Sequence, residues 1–221
     1  HEDATAAFTE LVELHPDVGA FVVALSSSMM ALSQRDAAVS LLEKAIVDYP
    51  EQFAADIALS NIYAESEQAE NATLVMRSAF DRGGKSDLEV LKQFSKVLAQ
   101  QKDTIELKQV LTTYRSQWAA KKSYGHGISM GIFSAQAGLA ELSIDIFNET
   151  IEAHPDKFDA DLELVKVFLE LDLNDKAEEA LQRVTNRGGR NDINVLKASG
   201  SETLTEPEMA ELIQQAVTLI N

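Results

Sequence analysis

The stretch that decides the fold is GAFVVALSSSMMALSQRDAAVSLLEKAIVDYP, residues 19–50. Apolar and small residues recur in it at steps of three and four, which places them on one face of a helix. These positions are Val22, Leu25, Ser26, Met29, Ala38, Leu42 and Ala45. Pro50 closes the unit, because proline cannot continue a helix. The stretch therefore predicts two helices, over 18–32 and 36–48, with Asp36 placed to cap the second one.

The same frame recurs along the rest of the chain. A shift of 34 residues from Leu25, Ser26 and Met29 leads to Leu59, Ser60 and Tyr63. Later frames start at Tyr124 and Phe158. Residues 1–18 fit the second helix of a repeat whose first helix is missing, so we expect the sequence to begin inside a longer solenoid. Besides 18–32 and 36–48, the predicted helices are 2–14, 53–66, 69–81, 87–100, 103–119, 127–137, 141–153, 158–171, 174–186, 192–198 and 207–220.

A second periodicity of 105 residues overlies the first. It superposes Phe53-Ala-Ala-Asp56 on Phe158-Asp-Ala-Asp161 and Arg82-Gly-Gly84 on Arg187-Gly-Gly189. Two further blocks follow in the same register, at 87–92 with 192–197 and at 106–109 with 211–214. The pattern predicts two copies of a three-repeat module, 19–122 and 123–221, with three extra residues between 87 and 123 and a capping helix at the C-terminus.

The 34-residue unit, with these small and large residues at these positions, resembles the tetratricopeptide repeat (TPR). The resemblance implies an all-α, right-handed superhelical solenoid of about six helix-turn-helix repeats. In such a fold each repeat contacts only its neighbours, so a chain of 221 residues needs no central core. The resemblance also implies a protein that binds other proteins. No phosphate loop, dinucleotide fingerprint or nucleophile elbow appears in the sequence, so we expect no enzymatic activity and no catalytic residues.

Composition narrows the classes of partner. The formal net charge is −17, which disfavours nucleic acid and anionic membrane surfaces, since both require lysine and arginine to neutralise phosphate. The chain contains no cysteine and no apolar run long enough for a membrane span. We expect no metal, no cofactor and no direct membrane insertion. The compartment stays open between cytoplasm and periplasm, and the acidic, alanine- and glutamine-rich composition suggests a bacterial protein.

Short motifs that resemble functional signatures are better explained as helix ends. His15-Pro16-Asp17 and His154-Pro155-Asp156 copy a tripeptide of J-domain co-chaperones, but acidic helices flank them and each proline falls at the closing position of a repeat. Arg82-Gly-Gly84 and Arg187-Gly-Gly189 resemble RNA-binding boxes, yet each falls at a repeat boundary, where glycine can take the left-handed conformation. All four motifs therefore predict turns.

The TPR resemblance also implies which surface binds a partner. In that family the first helix of each repeat lines a concave groove, and its inward positions in this chain are mostly aliphatic. No lysine occupies the fifth position of any repeat, where a lysine would clamp a C-terminal carboxylate, and only Asn61 stands where a clamp asparagine would. The predicted partner-binding residues are Val23, Ser27, Met30, Ile57, Asn61, Leu91, Ser95, Leu98, Ile128, Ile132, Leu162 and Lys166.

An apolar groove with a few polar side chains predicts a protein or peptide partner, either an amphipathic helix or a hydrophobic extended segment. Three alternatives stay open. The aliphatic side chains could be buried by neighbouring helices, the groove could be filled by a second copy of the chain in a homo-oligomer, or the chain could be an enzyme, which is the weakest interpretation. The leading hypothesis is an adaptor or scaffold within a larger protein.

Overall fold

The computed structural model describes residues 1–187, which form eleven α-helices and a short 3-10 turn at Gly84–Ser86. Eleven of the thirteen predicted helices lie in this range, and each is present; the predicted helices 192–198 and 207–220 lie outside it. The observed helices are α1 (Glu2–Leu14), α2 (Gly19–Ala31), α3 (Arg35–Asp48), α4 (Ala54–Glu65), α5 (Ala69–Asp81), α6 (Leu88–Gln100), α7 (Thr104–Lys121), α8 (Tyr124–Gln136), α9 (Ala140–Ala153), α10 (Asp159–Glu170) and α11 (Asn174–Asn186).

The chain divides into two compact units, His1–Gln117 and Trp118–Asn221, and the division falls inside α7. In the first unit each helix from α1 to α6 packs on the next, and α2 also packs on α4. In the second unit α8, α9, α10 and α11 pack in the same sequential way, and α8 also reaches α10. The described part of each unit is therefore an all-α solenoid of stacked helical hairpins, as predicted.

The turn within each repeat has the same backbone geometry. Ser33, Glu67, Lys102, Gly138 and Asp172 all have a positive φ, between 56° and 77°, just after the first helix of their repeat. In each case the next N–H donates to a carbonyl five residues back, as Gln34 does to Met29. This bond is the signature of a Schellman ending, which satisfies the last carbonyls of a helix.

These five residues also locate the three extra residues that break the 34-residue frame. Successive positive-φ residues are 34, 35, 36 and 34 positions apart. One extra residue therefore lies between Glu67 and Lys102, where α6 is one residue longer than α4, and two lie in the α7 region, where that helix reaches 18 residues.

The turns at the repeat ends confirm the interpretation of the short motifs. Both His-Pro-Asp tripeptides follow a helix end, at Leu14 and at Ala153, and form turns. Gly83, in the first Arg-Gly-Gly motif, has φ 134°, a conformation that a side chain disfavours. A Cβ on Gly84 would lie 2.6 Å from Val90 Cγ1 and 2.8 Å from the Ala79 carbonyl oxygen. The second Arg-Gly-Gly motif extends beyond the described residues.

Two sequence predictions about helix starts were wrong. Asp36 does not cap α3, because the helix already begins at Arg35 and Asp36 lies within its first turn. Helix α8 begins at Tyr124, three residues before the predicted start, so Gly125 and Gly127 lie inside it. Gly127 serves close packing instead of a loop, since a Cβ there would lie 2.4 Å from Thr150 Oγ1 of α9.

A buried ion pair explains part of the 105-residue periodicity. Asp56 is 1% exposed in the first turn of α4, and both its oxygens accept bonds of 2.8 Å from Arg82 Nη2, just after α5. Arg82 Nε also donates to the carbonyl of Pro50. In the second unit Arg187 Nη2 donates to Asp161 at 2.5 Å, and Asp161 is 0% exposed. Each pair joins the two helices of one repeat.

Candidate functional site

A groove on the first unit runs between α2 and α4, the first helices of two successive repeats. It encloses about 490 Å³. Its lining residues are Val23, Ser26, Ser27, Met30, Ala54, Ile57, Ala58, Asn61, Ile62, Glu65 and Glu89. Five of the predicted partner-binding residues are among them, so the structure brings together Val23, Ser27, Met30, Ile57 and Asn61. We call this surface the α2–α4 groove.

Helical spacing places these side chains in rows. Val23, Ser27 and Met30 are four and three residues apart on α2, and Ile57 and Asn61 are four apart on α4, so each set lies on one helix face. The hydroxyls of Ser26 and Ser27 donate back to the Val23 carbonyl at 2.8 and 2.9 Å. Because the serine protons are used inside the helix, Ser27 presents its lone pairs to the groove as an acceptor.

Asn61 is oriented by residues of α6. Its side-chain oxygen accepts from Gln93 Nε2 at 2.8 Å and from Lys96 Nζ at 3.4 Å, and the same Gln93 amide donates to Ser60 Oγ at 2.9 Å. Gln93 is buried, which fixes the amide of Asn61 in one orientation. The Asn61 oxygen is therefore occupied, and its NH₂ group is the part that can donate to a ligand in the groove.

The comparisons with known proteins concern the fold. No family model matches the sequence, and no curated protein matches it at a significant level. Among solved structures, PilF of Pseudomonas aeruginosa superposes with a TM-score of 0.59 at 16% identity, over 93% of this chain and 91% of that one. MamA of Desulfovibrio magneticus gives 0.57 at 13% identity, over 79% and 97%.

A third structure is YrrB, described as a TPR protein with an unusual peptide-binding site. It superposes with a TM-score of 0.54 at 17% identity, over 88% of this chain and 98% of that one. This chain has the TPR fold. At these identities the likeness concerns the arrangement of helices, and function has to be argued from the residues of the site.

Three predicted groove residues of the third TPR are not exposed. Leu91, Ser95 and Leu98 on α6 all have 0% exposure. The physical reason is that the buried face of α6 is wide. It also includes Val90, Phe94 and Val97, and only a charged strip that contains Glu89 and Lys96 reaches solvent. These three side chains therefore form no exposed strip on α6 in this structure, and their assignment to a binding surface stays a prediction.

The predicted residues of the second unit belong largely to its core. Ile128 and Ile132 on α8 are half-buried and pack against the cluster that contains Phe147, while Leu162 on α10 is part of that cluster and 9% exposed. Lys166 pairs with Glu163 at 2.7 Å one helical turn away. The assignment of these four residues to a TPR binding surface stays a prediction.

Residues 1–187 contain neither a cluster of metal ligands nor a membrane-spanning helix. No three His, Asp or Glu side chains in this range converge as metal ligands would. None of the described helices combines the length and the hydrophobicity that a membrane span requires. The α2–α4 groove is the surface of this TPR fold that best matches the residues expected from the sequence.

Proposed function

We propose that this chain is a non-catalytic adaptor or scaffold that binds an apolar segment of a partner protein in the α2–α4 groove. The observation that supports the proposal best is the groove itself. It joins partly exposed Val23, Met30 and Ile57 to one fixed hydrogen-bond donor, Asn61. Binding is stabilised when a partner removes apolar side chains of a concave surface from water, by roughly 25 cal/mol per Å² of buried apolar area.

The polar side chains favour an extended segment over a helix. Asn61 offers an N–H donor and Ser27 an acceptor, and both face the same groove as Ile57. An extended segment has free backbone C=O and N–H groups that can pair with them, whereas a helix uses its own backbone groups internally. The described peptide-binding site of the TPR protein YrrB agrees with a groove that takes a peptide.

The experiment selects peptides and then tests where they bind. A phage-displayed library of random 12-residue peptides is selected on the wild-type chain, and the affinities of the selected peptides are measured by fluorescence anisotropy. Ile57→Glu places a charge among the apolar side chains, and Ser27→Phe fills the groove from an exposed position that contributes nothing to the core. We expect both variants to lose binding at least tenfold.

Leu74→Glu is the matched control, because Leu74 on α5 is apolar, 58% exposed and outside the groove. It should bind like the wild type. Circular dichroism checks that all variants stay helical. If Ser27→Phe and Leu74→Glu both bind as the wild type does, the groove is not the binding site.

A second copy of the chain is the competing occupant of the groove. Light scattering across a range of concentrations distinguishes the two occupants, since a groove filled by a second copy gives a mass that rises with concentration and falls in the Ser27→Phe variant. A monomer at all concentrations, combined with peptide binding in the groove, supports the adaptor function.

A further inference from the structure

At the end of the α2–α4 groove near Met30 and Glu65, negative charge is present without a cation to balance it. Met30 lies in the last turn of α2, and Glu65 is the last residue of α4. The C-terminus of a helix carries a negative partial charge, which disfavours a carboxylate and favours a cation. Neither α2 nor α4 has a basic residue in its last turn. Glu65 is exposed and has no ion-pair partner among the described residues.

The cations that the structure describes around the groove form their contacts with residues other than Glu65. Arg35 of α3 approaches the end of α4, but its Nε donates to Ser66 Oγ at 3.1 Å and its Nη2 donates to Gln68 at 3.4 Å. Lys96 of α6 donates to the Asn61 oxygen. Lys92 pairs with Glu89, the other carboxylate of the groove, at 3.6 Å. None of the residues that line the groove is a lysine or an arginine.

We propose that the segment bound in this groove carries a lysine or arginine beside its apolar residues, and that Glu65 receives this cation. The inference rests on the proposed function, because it specifies the partner of the same groove. The apolar residues would contact Met30 and Ile57, a backbone carbonyl would accept from Asn61, and the cation would pair with the carboxylate and the two helix ends. The net charge of −17 favours the approach of such a cationic segment.

The test uses the peptides selected for the proposed function, with Glu65→Gln as the variant. Peptides selected on the wild type should be enriched in Lys and Arg over Asp and Glu, and binding to Glu65→Gln should weaken by about two- to fivefold, the range of one exposed ion pair. Glu65→Lys should weaken binding further. Raising the salt concentration should weaken wild-type binding and affect Glu65→Gln less, since salt screens exposed charges.

Glu70→Gln is the matched control, because Glu70 is an exposed carboxylate on α5 outside the groove and gives the same change in net charge. It should bind as the wild type does. Selected peptides without basic residues, or equal affinities for Glu65→Gln and Glu70→Gln, would overturn the charge inference. Such peptides would still lose binding to Ser27→Phe, so that result would leave the proposed function standing. Peptides indifferent to Ser27→Phe would refute the proposed function itself.

Discussion

Replacing Arg82 by methionine should destabilise the protein more than replacing its partner Asp56 by alanine. Asp56 is 1% exposed, and both of its oxygens are bonded to the Arg82 guanidinium at 2.8 Å. Methionine keeps much of the packing of the arginine stem but leaves the carboxylate unpaired in the interior. Breaking a buried pair in this way costs roughly 3 to 5 kcal/mol. We expect about 3 kcal/mol, the lower end of that range, because the arginine side chain is 26% exposed and water reaches it.

Replacing Asp56 instead of Arg82 leaves the Arg82 cation, which has other hydrogen-bond partners. In Asp56→Ala, Arg82 can keep its bonds to the Pro50 carbonyl at 3.2 Å and to Ser78 Oγ at 2.9 Å, and its remaining N–H groups can turn to water. We expect a loss of about 1 to 2 kcal/mol. The double variant should lose less than the sum of the two single variants, since the penalty of Arg82→Met resides in the carboxylate that Asp56→Ala removes.

The pH dependence gives this prediction a second test. Burial raises the pKa of Asp56 above its ordinary value of 3.8, and the hydrogen bonds and charge of Arg82 oppose that rise. A folded pKa above the unfolded one means that the native state binds the proton more readily, so the stabilising contribution is present at low pH and is lost as pH rises through the folded pKa. Without Arg82 the folded pKa rises further. Arg82→Met should therefore regain part of its deficit between about pH 7 and about pH 4.5.

Urea unfolding followed by far-UV circular dichroism measures the free energy of unfolding at both pH values. Asp161→Ala and Arg187→Met repeat the comparison in the second unit, where Asp161 is 0% exposed. The reasoning fails if Arg82→Met costs no more than Asp56→Ala, if the two losses add, or if the deficit of Arg82→Met is the same at both pH values.

Two further predictions concern glycines and turns. Gly131→Ala should lower the free energy of unfolding by about 1 to 3 kcal/mol, because its Cβ would lie 2.4 Å from Cε1 of the fully buried Phe147. Gly125 has open space around it, so Gly125→Ala should raise the free energy of unfolding by about 0.5 to 1 kcal/mol. Glu67 has φ 58°, so Glu67→Gly should raise the free energy of unfolding by about 0.5 kcal/mol. Gly138 is at the equivalent turn position with φ 77°, so Gly138→Ala should lower the free energy of unfolding by about 1 kcal/mol. Urea unfolding checks both; equal effects of Gly131→Ala and Gly125→Ala, or a destabilised Glu67→Gly, would contradict them.

The helices were predictable because the 34-residue frame fixes where each one begins and ends. Most observed boundaries lie within a residue or two of the predicted ones, and the exceptions have local causes. At Gly127 the sequence resembles a loop, and only the contact with Thr150 shows that the glycine permits close helix packing. The burial of Leu91 and Leu98 depends on how wide the buried face of α6 is, and the inward repeat positions alone do not indicate that width.

The ion pair of Asp56 and Arg82 had a signal in the sequence that could have been used. Asp56 occupies the position where Val22 stands in the preceding repeat, and Val22 is 2% exposed. An acidic residue at a core position needs a charged partner, because an unpaired buried carboxylate is too costly. The Arg-Gly-Gly blocks that recur with the same 105-residue shift as the two aspartates supplied the candidates. Pairing the two patterns would have predicted both contacts.

The 105-residue shift preserves the buried aspartate–arginine pair but does not preserve the groove residues. The shared aspartate and arginine form ion pairs with a buried carboxylate in both units, and each pair joins the two helices of one repeat. The groove residues differ: where the first unit has Asn61, held as a donor by Gln93, the 105-residue shift leads to Lys166, which pairs with Glu163 on its own helix. An oriented donor beside apolar side chains suits a peptide site, so this difference favours the first unit for the proposed binding. We expect peptide binding to survive Lys166→Ala but to fall in Asn61→Ala.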